Sequence, residues 1–84
     1  MWVIGCDFHP SFQRIALLNQ AKGEYRRLRL EHRSGAAVGF YRGLAGQQVR
    51  VGMEATGSIR WFERLLGELG FQLWVGDPAR IRTR

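Results

Sequence analysis

Val49-Arg-Val-Gly-Met-Glu54, followed by Ser58-Ile-Arg-Trp-Phe-Glu-Arg-Leu-Leu-Gly-Glu-Leu69 and Phe71-Gln-Leu-Trp-Val-Gly76, reads as strand, helix, strand. The outer two segments are short apolar runs rich in β-formers, as buried strands are. In the middle segment Trp61, Phe62, Leu65, Leu66 and Leu69 fall on one apolar stripe at helical spacing. Arg64 and Glu68 stand four apart on the other face, and Gly70 occupies the place of a C-terminal cap. Strands joined through a helix call for a sheet with crossover connections.

Working back toward the N-terminus, Trp2–Asp7 is a further apolar run and reads as a buried strand. Phe12–Asn19 and Glu24–Glu31 flank Gln20-Ala-Lys-Gly23, a glycine-containing hairpin turn. In the third strand Tyr25, Arg27, Arg29 and Glu31 alternate with Arg26, Leu28, Leu30 and His32, which suits an edge strand with one charged face. Ser34 is placed to cap a helix over Gly35–Leu44 with Val38, Tyr41 and Leu44 on one side. Gly35, Gly39 and Gly43 each weaken that helix by about 1 kcal/mol against alanine. The expected fold is α/β, a mixed sheet in the order βββαβαβ with helices packed on it.

The chain has 84 residues, 45% hydrophobic, 12% aromatic and 24% charged, enough to build a core and too apolar for a disordered tail. A chain of this size buries only about 60–65% of its unfolded surface, so its stability is modest. One cysteine closes no internal disulfide, and His9 and His32 do not complete a structural zinc site. The first strand carries no basic leader and meets an acid at Asp7, unlike a signal peptide, and no segment reaches the apolar length of a membrane span. A cytoplasmic protein with a reduced Cys6 is expected. Thirteen Lys and Arg, all but one of them Arg, against seven Asp and Glu give +6, a balance that points toward phosphate.

Val3-Ile-Gly-Cys-Asp7 and Val49-Arg-Val-Gly-Met-Glu54 both run apolar, glycine, apolar, acid at the end of an expected strand. In open α/β sheets ligands bind beyond the carboxyl ends of the strands. If the two strands are parallel neighbours, about 4.8 Å apart, Asp7 and Glu54 present carboxylates to one point. A hard cation such as Mg²⁺ is held by one or two carboxylates together with phosphate oxygens and water. The glycines keep side chains away from that point. The alternative is structural: Asp7 as a turn residue, and Glu54 favouring the positive end of the next helix.

Met53-Glu-Ala-Thr-Gly-Ser-Ile-Arg-Trp-Phe62 and Leu73-Trp-Val-Gly-Asp-Pro-Ala-Arg-Ile81, with Gly5-Cys-Asp7, closely resemble the N-terminal part of the DEDD transposases of bacterial insertion sequences. The resemblance covers nearly the whole chain, and Glu-Ala-Thr-Gly-Ser is its most specific part. It implies an RNase H-like nuclease domain similar to Holliday-junction resolvases, with Asp7 and Glu54 as metal-binding catalytic acids. It also implies DNA as substrate for strand cleavage and transfer, a guide RNA as second partner, and a homo-oligomer in the full-length protein. The family completes its site with a downstream Asp-x-x-Asp that the 84 residues do not contain. The expectation is an incomplete domain that binds Mg²⁺ weakly and cuts nothing alone. Asp77 precedes Pro78 and reads as a strand-exit turn rather than as one of the missing acids.

Around this pair, His9 is placed either to touch a phosphate or metal-bound water or to sit exposed in a loop. Thr56 and Ser58 either cover the site and meet a phosphate or serve the following helix, with Ser58 as its cap. Ser58 has no base near it in sequence and is not read as a nucleophile. Arg26, Arg27, Arg29 and Arg33, with Arg80, Arg82 and Arg84, are candidates for phosphate contact, or else form a solvated edge that resists aggregation. Trp61 and Trp74 are expected in the core and Trp2 partly exposed. A non-catalytic basic nucleic-acid-binding module is the competing function. An ATP-binding relative of the fold is disfavoured, since Asp7-Phe-His-Pro-Ser11 is no glycine-rich phosphate loop.

Overall fold

The computed structural model describes residues 1–54 and 59–76. Its elements run β1 (Trp2–Phe8), β2 (Phe12–Asn19), β3 (Glu24–Glu31), α1 (Ala36–Arg42), β4 (Val49–Glu54), α2 (Arg60–Glu68) and β5 (Gln72–Gly76), the expected order. They form a five-stranded mixed sheet ordered β3-β2-β1-β4-β5. β1, β2 and β3 make an antiparallel meander, and β4 and β5 add in parallel beside β1. At the first turn Gly23 has φ +71 and donates its N–H to Asn19 O at 2.8 Å, a backbone geometry that glycine adopts without strain.

Both helices lie on one face of the sheet. Alternation along the strands sends Ile4, Cys6 and Phe8 of β1, Ile15 and Leu17 of β2, and Val49, Val51 and Met53 of β4 to that face, where all are buried. They meet Ala37 and Tyr41 of α1 and Phe62, Leu65 and Leu66 of α2 in one core. Tyr41 and Phe62 pack edge to face at 5.1 Å and join the two helices. α2 ends as expected: Gly70 takes φ +73 and Phe71 N–H reaches Leu66 O at 2.9 Å, which satisfies an orphan carbonyl of the last turn.

Four local expectations are corrected. Ser34 does not hold the cap position of α1: Gly35 does, at φ +83, while Ser34 Oγ accepts the Ala36 N–H at 3.3 Å as a local turn. The cap position of α2 is Ile59 rather than Ser58, and Ser58 itself lies outside the described residues. Glu68 turns to Arg42 of α1 at 3.6 Å instead of to Arg64, tying helix to helix. Trp61 and Trp74 are exposed rather than core residues. Trp61 sits on the flank of the α2 stripe, against Phe8 and His32, and Trp74 occupies the face of β5 that looks away from the helices. No helix of the described residues is long and apolar enough to cross a membrane.

Candidate metal and nucleic-acid site on the open sheet face

The sheet face opposite the helices is left uncovered among the described residues, and its make-up follows from register alone. One row across all five strands reads Trp74, Gly52, Gly5, Ala16 and Arg27, each paired with the next. The next row, toward the carboxyl ends of β1 and β4, reads Gly76, Glu54, Asp7, Arg14 and Arg29. The last printed pair between β1 and β4 is Cys6 with Met53, so Asp7 and Glu54 each stand one residue beyond it, on the same face. An open groove of about 750 Å³ runs over both rows.

Asp7 and Glu54 are both exposed, and their carboxylates are held differently. His9 Nε2 lies 3.3 Å from Asp7 Oδ2, an ion pair when the ring is protonated. The Glu54 carboxylate has no hydrogen bond or ion pair among the described residues. Two carboxylates on adjacent parallel strands suit one divalent cation whose remaining positions go to water and phosphate oxygens. Among the described residues no cluster of three or more His, Cys, Asp or Glu side chains gathers to hold a metal.

Phe12 organises the flank next to Asp7. His9 stacks on its ring at 4.5 Å between centroids, the Arg29 guanidinium lies 3.8 Å from the ring centre, and that of Arg14 lies 5.7 Å away. Arg29 also donates to Glu31 at 2.6 Å, which holds its head in place. The result is an acid pair with cationic groups along one side, a polarity suited to an anion that meets the arginines first and the acids through a metal.

The expected arginine set divides between the faces. Arg27 and Arg29 stand on the open face; Arg26 pairs with Leu17 and points to the helix side at the sheet edge, and Arg33 lies near His32, Val38 and Trp61 at a second, smaller pocket. Arg80, Arg82, Arg84, Thr56 and Ser58 lie outside the described residues. Gly5 and Gly52 were read as keeping side chains away from the two acids, whereas Arg14, Phe12 and Ala16 were missed by motif reading. Their signal was the parity of β2: Phe12, Arg14 and Ala16 share a face, and the β1–β2 hairpin aligns Arg14 with Asp7.

Behind the site a buried hydrogen-bond chain crosses to the helices. Gln13, fully buried, accepts from Tyr41 Oη at 2.7 Å and from Cys6 Sγ at 3.3 Å, while its Nε2 lies 3.1 Å from His32 Nε2. Burial, and secondly the charge of Asp7, pushes the Cys6 thiol up to about 12. Burial, with Cys6 adding to it, likewise raises the Tyr41 phenol. Both groups are held in their neutral forms, as donors. No protein-family model matches the chain, and no curated protein matches it.

Proposed function

We propose that the chain is the metal-binding part of an RNase H-like nuclease domain of the DEDD transposase kind, acting in DNA strand cleavage and transfer. One observation carries this reading: Asp7, the penultimate residue of β1, and Glu54, the last of β4, each stand one residue beyond the last pair of two neighbouring parallel strands, on the same open face. A Mg²⁺ ion held there would orient a phosphodiester and offset the charge that develops as the bond breaks. Arg14 and Arg29 supply the cationic side on which the strand is held. The resemblance of Glu54-Ala-Thr-Gly-Ser58 adds the transposase family, a guide RNA and assembly of several copies to the proposal.

Calorimetric titration of Mg²⁺ tests it. Weak, saturable binding is expected in the chain as it stands, with loss of binding in both Asp7→Asn and Glu54→Gln. Equal uptake by the parent chain and both variants would contradict the metal reading. The 84 residues are expected to leave supercoiled plasmid intact in Mg²⁺, because two carboxylates make only part of the four-acid site that the resemblance implies. Nicking by the purified chain would contradict this expectation.

A second reading, a non-catalytic nucleic-acid module, draws on the three arginines of the open face, Arg14, Arg27 and Arg29. In that case Asp7 serves only to pair with His9 and to face Arg14. DNA binding with no Asp7-dependent Mg²⁺ uptake favours it.

A further inference from the structure

The row Trp74, Gly52, Gly5, Ala16 and Arg27 is built like a trough. Its floor, three strands wide, carries two glycines and an alanine, and a Cβ placed on Gly5 would meet nothing within 4 Å. One wall is the Trp74 indole, 44% exposed, whose Cε3 lies 3.8 Å from where a Cβ on Gly52 would be. The other wall is Arg27, with Arg29 and Arg14 one row on. An aromatic wall, a bare flat floor and a row of guanidinium groups are the parts from which single-strand binding surfaces are made: a stacking platform beside a positively charged track.

We propose that this trough binds single-stranded DNA, with one base stacked on Trp74 over the Gly5 floor and phosphates further along the same strand, across the width of the sheet, on Arg27 and Arg29. The proposal rests on the nucleic-acid reading above but not on its metal. A single strand is selected over a duplex because stacking on Trp74 requires a base whose face is not already covered by a neighbouring pair. Deoxyribose fits the floor, since Gly5, Ala16 and Gly52 offer no side-chain donor or acceptor to read a 2′-hydroxyl. From Arg27 to Arg29 the track along β3 reaches the row that holds Asp7 and Glu54, which stand two and three strands further across the sheet, with Arg14 between Arg29 and Asp7. The acids thus meet a strand already opened.

Fluorescence anisotropy with a labelled dT₁₂ strand tests this, in EDTA and low salt so that failure of the metal reading leaves the result untouched. The dT₁₂ strand is expected to bind at least about tenfold more tightly than a duplex of the same length and no more weakly than rU₁₂. Trp74→Ala is expected to weaken it about tenfold, the effect of losing one stacked base. Gly5→Phe, which fills the floor in a direction where the protein offers no obstacle, is expected to abolish it while circular dichroism shows the parent fold. Equal affinity for the duplex, tighter binding of rU₁₂, or dT₁₂ binding unchanged in a folded Gly5→Phe protein would each overturn the proposal. So would a dimer in sedimentation that Trp74→Ala dissolves, since a second copy would then be what covers the trough.

Discussion

Gln13 shows how one side chain can fix several others. Its amide nitrogen can only donate, so His32 Nε2 accepts from it and the ring proton sits on Nδ1, which donates to Pro10 O at 3.2 Å. Nitrogen-15 shifts of His32 should report the ring proton on Nδ1, with Nε2 as the acceptor. Gln13→Leu keeps the volume but strands the Tyr41 hydroxyl, the Cys6 thiol and His32 together. A loss of about 1–3 kcal/mol in urea denaturation is expected, and an unchanged midpoint would mean the chain is not the buried link described. Cys6 itself carries a pH dependence. Burial, and secondly the charge of Asp7, pushes the folded thiol up from its ordinary 9.0 to about 12, so above pH 9 the folded state holds a proton that the unfolded state has lost. Stability from this group is intact below pH 9 and falls between 9 and 12, with Tyr41 adding to the fall from about pH 10 upward, its ordinary value being 10.0. Base-denaturation curves by circular dichroism, with thiol alkylation following unfolding rather than preceding it, check the sign. Gly5→Ala is the converse case. Its Cβ enters open space on a strand with ordinary φ, so about 0.5–1 kcal/mol of added stability is expected, and a loss would show that the floor is not open.

Element by element, strands were more legible than faces. β2, β3 and β4 run between the residues read from the sequence, because turn residues and alternation mark their ends sharply. The meander and the edge position of β3 also followed, from the Gly23 turn and from the charged parity of Arg27 and Arg29. What failed was the choice of side. β5 carries Leu73 and Val75 on one parity and Trp74 on the other, so apolar content does not say which side the helices cover; the sheet decides, through the pairing of Trp74 with Gly52. Trp61 failed for a related reason. Five apolar positions make a stripe wider than the contact that α2 forms, and Trp61 is left on its rim at 38% exposure. Leu66 lies at the centre of that contact and is fully buried. Leu66→Ala is expected to cost about 2–5 kcal/mol, a large share of the stability of so small a chain, whereas Trp61→Ala should cost less. Equal losses would show that the two positions are not rim and centre.

At the scale of the whole molecule, the two halves of the candidate site were not equally readable. Asp7 and Glu54 are legible as a pair because the glycine-apolar-acid echo repeats at two strand ends and because the resemblance singles out the same residues. The cationic side is not, since Arg14 joins Arg29 only once β1, β2 and β3 are in register, and a count of arginines cannot say which of them share a face. The +6 charge is divided accordingly, with Arg26 and Arg33 away from the face that carries Arg14, Arg27 and Arg29. Binding of a nucleic-acid strand should weaken steadily with salt, and Arg27→Ala should reduce the slope of log affinity against log salt by about one contact's worth. An unchanged slope would remove Arg27 from the path of the strand. The claim on which the functional account turns is that Asp7 and Glu54 share one divalent ion. Paramagnetic broadening by Mn²⁺ reads it directly: the amide signals of Cys6, Asp7, Met53 and Glu54 should broaden together at the lowest additions, and Asp7→Asn should remove the effect at both strands. Broadening that centres instead on Glu63 and Glu68 of α2, or that survives unchanged at Glu54 in Asp7→Asn, would contradict it.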